Sequence, residues 1–359
     1  MRFHWQSPLL ILSLKNVGSS IMREAVFKIT NCCPCKCSFC ESGNGLWRDI
    51  EDIVRDVWME SAQTFVNNGL EVAIISGGEP LLRADLASDM IKLFEKEGVF
   101  SVLNTSGVLF SRNSIDKMLC NLPNLVVFSI DSVNPVKHDR HRGIPNLFQT
   151  VLLSIQDIKK RIPDLSVGVR FVLTKHNFHD LPILLYLCSY LGIDCLKITN
   201  IENDSAGQYA LSLEQIDFLF TEVIPKSLEV CKALCFQSES LMFDAQEKLN
   251  HLFKGLSPKC LSKNLFAVSD VPIYECPLKS QFCLIGADGN IHLGCEAEHQ
   301  QYPILGNIQE LDILELQKKM TFYKRRRLAY CIYCSAERNI QINFTNKCLK
   351  VNERCNYGR

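Results

Sequence analysis

This sequence of 359 residues lacks net charge, long apolar runs and repetition. The 39 Lys+Arg residues are balanced by 39 Asp+Glu, which excludes a polyanion binder that works through bulk positive charge. The longest early apolar run, residues 8–14 (PLLILSL), is too short to span a bilayer. With its basic start and small flanking residues it matches a secretory signal poorly. No internal repeat or low-complexity segment is present, and 47% apolar with 22% charged residues is ordinary globular composition, which excludes wholesale disorder. What the chain has in plenty is cysteine, eighteen in all. It is too long and its core too apolar to need disulfide staples. The cysteines therefore point to a reduced, cytoplasmic setting in which thiolates bind metal.

From Ala25 onward, short β-branched runs alternate with helical periods. Strands are expected at Ala25–Thr30, Val72–Ser76, Phe100–Asn104, Val126–Ile130, Val167–Leu173 and Cys195–Thr199, as buried parallel strands read. Val54, Val57, Trp58, Ala62, Phe65 and Val66 make one helical stripe, and Met90, Ile91 and Phe94 another. Asn146–Arg161 and Leu181–Leu191 fill later helical slots, with Asn113–Cys120 a shorter one. The pattern fits a doubly wound sheet and an incomplete barrel equally well. Either puts its chemistry at the carboxyl ends of the strands. The alternation stops near Asn200. Helices are expected at Ser212–Cys235, with a break at Pro225, and at Glu239–Lys254. A domain boundary is placed near 255–272, because eight of the eighteen cysteines fall in 260–359.

The loop after the first strand reads Thr30-Asn31-Cys32-Cys33-Pro34-Cys35-Lys36-Cys37-Ser38-Phe39-Cys40. Cys33, Cys37 and Cys40 form C-x3-C-x2-C. Three thiolates on one tight loop suit three irons of a [4Fe–4S] cluster, with the fourth iron open to a ligand. Zinc is the alternative, although its structural sites favour paired C-x2-C hooks and four ligands. Cys32 and Cys35 leave the ligand choice ambiguous.

These residues resemble the radical S-adenosylmethionine (radical SAM) superfamily. The resemblance continues in Gly77-Gly78-Glu79-Pro80, Asn104-Thr105-Ser106-Gly107, Ser129-Ile130-Asp131-Ser132 and His138-Asp139-Arg140-His141-Arg142-Gly143. It covers about residues 25–200. It implies an α/β fold, an incomplete (β/α)6 TIM-type barrel. It implies a [4Fe–4S] cluster on Cys33, Cys37 and Cys40, chelated by the methionyl end of S-adenosylmethionine. Glu79 and the backbone of Gly77, Gly78 and Pro80 would receive the methionyl ammonium, and Phe39 would lie near the adenine. Ser129 either contacts the carboxylate or caps a turn. Arg142 pairs with that carboxylate or serves in a surface ion pair, and Arg170 is a weaker candidate. The implied chemistry is reductive cleavage to a 5′-deoxyadenosyl radical that abstracts a hydrogen atom from substrate.

The C-terminal cysteines resemble the auxiliary-cluster extension called SPASM, or its shorter form, twitch. Cys276, a hairpin around Asp288-Gly289, Cys295, Leu305-Gly306-Asn307-Ile308, a helix near Leu311–Thr321 and Cys331-Ile332-Tyr333-Cys334 follow its order. The implied ligands of a second [4Fe–4S] cluster are Cys276, Cys295, Cys331 and Cys334. Cys283 is close enough to compete, and Cys348 and Cys355 sit at poor spacing for a further cluster. A zinc site on Cys331 and Cys334 with one earlier pair is the alternative. Cys120, Cys188, Cys195, Cys231 and Cys235 read as buried small hydrophobes, and 324–327 (KRRR) as a solvated helix end.

The resulting division is an N-terminal extension over 1–24, a barrel with following helices over 25–255, and a small α+β auxiliary-cluster domain over 256–359. The expected activity is hydrogen abstraction from a peptide or small molecule, ending in a net oxidation or cross-link. A flavodoxin- or ferredoxin-type donor would supply the electron, with neither membrane nor nucleic acid as partner. An aminoglycoside-like dehydrogenase or epimerase is the nearest alternative, and a non-catalytic zinc- or cluster-binding interaction protein the rival of another class. About 24 residues before the first strand are too few for the peptide-recognition domain that many such relatives carry.

Overall fold

The β-branched runs form strands where the sequence places them. The computed structural model describes residues 22–37, 39–40, 52–110, 121–200, 208–234, 281–293, 303–324, 340–345 and 347. Its first six strands are β1 (Glu24–Lys28), β2 (Val72–Ser76), β3 (Phe100–Thr105), β4 (Leu125–Ser129), β5 (Ser166–Leu173) and β6 (Cys195–Asn200). The helices between them are α1 (Arg55–Asn67), α2 (Ala84–Lys96), α3 (Pro135–Arg142), α4 (Leu147–Arg161) and α5 (Leu181–Tyr190).

Strands β1 to β6 pair in sequence order, and every pair is parallel. Right-handed crossovers that all advance the same way leave their helices on one face. A doubly wound sheet requires the strand order to reverse. It does not reverse here, so the partial barrel is the architecture formed. Ala25, Phe27, Ala73, Ile75, Val126 and Phe128 face the helices and join the main core. Phe27 packs against Trp58 of α1 (6.4 Å between ring centroids), Phe65 of α1 (5.7 Å) and Phe94 of α2 (5.6 Å). Each such buried ring contributes about 1.5–3 kcal/mol of apolar burial. The other face holds a thin apolar layer of Val102, Leu125, Val127 and Cys195. Nearer the carboxyl ends that face turns polar, with half-buried Ser76, Asn104, Ser129, Arg170 and Lys197.

One stripe residue is corrected: Val54 is exposed. It precedes α1 in an extended conformation, before the helix has turned its face to the core. The helix expected over 212–235 forms in pieces, α6 (Leu213–Phe218), a π-turn (Leu219–Val223) and α7 (Ile224–Ala233). The widened turn lies just ahead of Pro225, which has no N–H to continue the ladder. Cys188, Cys195 and Cys231 are buried, as expected of small hydrophobes.

Beyond the helices, β7 (Phe282–Ile285) pairs parallel with the free edge of β1 and turns back into β8 (Asn290–Leu293). This is the hairpin expected around Asp288-Gly289. It is followed by β9 (Ile304–Asn307) and α8 (Ile313–Lys324). A tenth strand, β10 (Ile340–Asn343), was not anticipated; it pairs antiparallel with β6 at the opposite edge. Asp194 anchors this return, receiving Phe344 N on its carbonyl (2.7 Å) and Thr345 Oγ1 (2.9 Å) and Lys159 Nζ (2.5 Å) on its carboxylate. Cys283 is buried in β7 with its Sγ 3.7 Å from Met22 Sδ. The expected helices at 113–120 and 239–254, the expected boundary at 255–272, Cys120, Cys235, Cys276, Cys295, Cys331, Cys334, Cys348 and Cys355 lie outside the described residues. No described helix is long and apolar enough to cross a membrane.

Candidate functional site at the carboxyl ends of the strands

The cysteine loop leaves β1 and lies across the turn that ends β2. Gly78 N donates to Thr30 O (2.7 Å) and Glu79 N to Cys32 O (2.8 Å). The contact is backbone on backbone. A Cβ on Gly77 would stand 2.3 Å from Thr30 O, and one on Gly78 2.2 Å from Cys32 O. Gly77 also has φ +136°, a conformation that glycine alone adopts freely. Thr30 Oγ1 donates to Asp52 Oδ2 (2.7 Å) and accepts from Cys32 N (3.1 Å). Arg83 Nη1 donates to Ile29 O (2.7 Å), tying the start of α2 to the same loop. Further along, Lys36 N donates to Arg142 O (2.8 Å) at the end of α3.

The loop therefore has fixed supports along its length. Cys35 and Cys37 are buried, Cys33 and Cys40 half-buried and Cys32 exposed. Hydrogen bonding to Cys33, then burial, pushes the Cys35 thiol up to about 11. Hydrogen bonding to Cys35, then burial, pushes the Cys37 thiol higher still. The Arg142 cation pulls the Cys37 thiol the other way.

Glu79 is fully buried. Its Oε1 accepts from Thr105 Oγ1 (2.8 Å) and Leu81 N (3.2 Å), and its Oε2 from Ser106 N (2.8 Å) and Ser106 Oγ (2.5 Å). Four neutral donors thus join the end of β2 to the end of β3. Burial raises the Glu79 pKa, and the Ser106 donors pull against that rise. Pro80 opens the short 3-10 turn that follows and is buried.

The end of β4 is organised by another buried carboxylate, Asp131. Its N–H donates to His138 Nδ1 (3.1 Å), its carbonyl accepts from Asn177 Nδ2 (2.7 Å), and its Oδ1 accepts from Val172 N (3.4 Å). Its Oδ2 lies 2.6 Å from Arg142 Nε, an ion pair outside hydrogen-bond alignment. Arg142 is itself buried, with Nη1 3.6 Å from Cys37 Sγ and Cζ 5.8 Å from the Phe39 ring centroid. It is no surface ion pair. Phe39 also meets Tyr209 edge to face at 6.1 Å. Ser129 closes β4 beside Arg170 of β5 on the polar inner face, while Ser132 donates to Asp180 Oδ2 (2.5 Å). Burial lowers the His138 pKa to about 4, so the ring is neutral and its Nδ1 stays free to accept.

The structure thus gathers Cys33, Cys37, Phe39, Cys40, Gly77, Gly78, Glu79 and Arg142 at one end of the sheet. Asp131, His138, Thr105, Ser106 and Asn177 carry the geometry, and the sequence reading gave them no role. For Thr105, Ser106 and Asp131 the signal was present in the Thr-Ser-Gly and Ser-Ile-Asp-Ser turns that end adjacent strands. Among the described residues no three His, Cys, Asp or Glu side chains gather tightly enough to hold one metal ion. The fit of the loop to an iron–sulfur cluster rests on its donor set and supports: three thiols on one short loop, held by backbone bonds to the glycine turn beside them.

Comparison with known proteins agrees with that arrangement. The Radical SAM superfamily profile matches residues 27–187. The chain is 28% identical over 183 residues to the PqqA peptide cyclase of Bradyrhizobium diazoefficiens, a match covering 49% of this chain and 46% of the relative. It is 22% identical over 316 residues to the AdoMet-dependent heme synthase of Methanosarcina barkeri, covering 85% and 84%. The chain thus spans about half the length of the peptide cyclase and most of the heme synthase. Among solved structures, Streptococcus suis SuiB bound to precursor peptide SuiA superposes with a TM-score of 0.60 at 17% identity, covering 89% of this chain and 71% of that one. The anSMEcpe structure with bound AdoMet gives 0.56 at 15% identity, covering 94% and 96%. Residues 27–187, which carry the cysteine loop and both buried carboxylates, are a domain of the radical SAM superfamily.

Proposed function

We propose that this protein is a radical SAM enzyme that abstracts a hydrogen atom from a peptide or small-molecule substrate. The observation that carries the reading is the cysteine loop seated on the Gly77–Glu79 turn at the carboxyl ends of a parallel sheet. Cys33, Cys37 and Cys40 would hold the [4Fe–4S] cluster. When bound, the cluster supplies the electron that cleaves S-adenosylmethionine and so starts radical chemistry.

The chain's own residues position and exclude. Gly77 and Gly78 let the cysteine loop seat directly on their turn, whose backbone would receive the methionyl end of S-adenosylmethionine. Buried Glu79 fixes the turn that presents it. Phe39 offers an apolar face to the adenine, and the polar inner residues Ser129 and Arg170 suit its carboxylate. Excluding water and oxygen from this end of the sheet protects the reactive species. Cys276, Cys295, Cys331 and Cys334 are proposed to hold an auxiliary [4Fe–4S] cluster, closed by four thiolates and suited to accept the electron left on the substrate, with a flavodoxin- or ferredoxin-type donor feeding the first cluster. The named relatives include a peptide cyclase and a heme synthase, so both substrate classes stay in the proposal.

The test is anaerobic reconstitution followed by incubation with S-adenosylmethionine and dithionite. Formation of 5′-deoxyadenosine by wild type, and its loss in a Cys33/Cys37/Cys40→Ala variant, is expected. Zinc without iron in the wild type would overturn the enzymatic reading in favour of a metal-stabilised interaction protein.

A further inference from the structure

Arg142 reaches the cysteine loop in two ways. Its carbonyl accepts Lys36 N (2.8 Å), and its guanidinium stands 3.6 Å from Cys37 Sγ. Cys37 is the most buried of the three expected ligands. The guanidinium is held from behind by Asp131, itself fully buried and fixed by His138, Asn177 and Val172. The arrangement is a rigid carboxylate, a cation, and a sulfur that becomes an anion when it binds iron.

We propose that Arg142, aimed by Asp131, is a positioning residue that donates to the Cys37 sulfur and sets the reduction potential of the cluster on this loop. This rests on the cluster assignment proposed above. Hydrogen bonds to ligating sulfurs are a main determinant of cluster potential, and a charge-assisted bond in a dry setting is about twice as strong as a neutral one. The sign follows from charge. One-electron reduction makes the cluster more negative, so a donor cation favours the reduced state and raises the potential. Asp131 opposes the cation and moderates the rise. Removing Arg142 therefore lowers the potential, and neutralising Asp131 while Arg142 stays raises it.

The experiment is an electron paramagnetic resonance redox titration with dithionite on the reconstituted full chain, following the signal that S-adenosylmethionine perturbs. Wild type is compared with Arg142→Met, Arg142→Lys and Asp131→Asn. Because a lone buried charge is costly, the double variant Arg142→Met/Asp131→Asn provides a folded comparator, checked by thermal melting. Arg142→Met is expected to weaken reduction about tenfold, a midpoint about 59 mV more negative for a one-electron couple. Asp131→Asn moves it the other way, Arg142→Lys stays near wild type, and the double variant falls between Arg142→Met and wild type. Unchanged midpoints with full iron content would overturn the proposal. So would Arg142→Met and Asp131→Asn shifting together, or iron loss in every variant including Arg142→Lys, since each marks a structural clamp. A wild type that takes up no iron on this loop would instead defeat the cluster assignment itself.

Discussion

Glu79 follows β2 and Asp131 follows β4, on either side of β3 in the same sheet; both are fully buried, yet they are satisfied by opposite means. Among the described residues Glu79 has neutral donors alone: Thr105, Ser106 and the Leu81 amide. Asp131 has a cation, Arg142, and one backbone amide. Four neutral bonds from two strand ends make Glu79 a knot between turns, with its bonding spread over several groups. A single cation makes Asp131 a lever, because what it holds is aimed at Cys37. Glu79 is thus engaged with its own fold, and the less conspicuous aspartate reaches the cysteine loop through Arg142.

The largest effect expected from breaking this contrast is at Glu79. Glu79→Ala leaves the Thr105 and Ser106 donors buried without acceptors and opens a cavity, costing roughly 4 kcal/mol. Denaturant unfolding would measure it, and a loss below about 1 kcal/mol would show the knot to be dispensable.

Next comes the support of Asp131. His138 must be neutral for its Nδ1 to accept the Asp131 amide. Its folded pKa of about 4 lies below its usual 6.5, so its contribution is full above pH 6.5 and fades as pH falls toward 4. The difference amounts to about 3 kcal/mol. Stability measured against pH should drop through that window, and His138→Asn, whose amide oxygen still accepts, should flatten the drop.

Smaller effects sharpen the comparison. Thr105→Val removes one of four donors to Glu79, at a cost of about 1.5 kcal/mol. A loss as large as that of Glu79→Ala would mean the bonds act as one unit. The half-exposed Arg23–Glu71 pair, at 2.8 Å, is the aqueous counterpart of Arg142–Asp131. Arg23→Ala should cost only about 0.5 kcal/mol and lose even that in high salt.

Much of this frame was legible in the sequence for a physical reason. Strands of a parallel sheet are covered on both faces, so β1 to β6 appear as continuous β-branched runs. The cysteine spacing and the Gly-Gly-Glu-Pro turn are local, and chain position is enough to read them. Helix α3 was missed because PVKHDRHR has no apolar stripe; what it buries is His138 and Arg142. Its ends were readable all the same, with Asn134 capping through its side chain and Gly143 in the left-handed conformation. Strand β10 was missed because its four residues follow a cysteine-rich stretch and pair with a strand about 145 residues earlier. The link from Asp131 through Arg142 to Cys37 spans 94 residues between its sulfur and its carboxylate, and only the folded chain brings them together.

The central claim, that Cys33, Cys37 and Cys40 hold a [4Fe–4S] cluster, is tested most directly by counting iron and sulfide after anaerobic reconstitution. Wild type is compared with the triple Cys33/Cys37/Cys40→Ala variant. About eight irons in wild type and about four in the variant are expected, one cluster at the loop and one auxiliary. Equal iron in the two proteins would contradict the account.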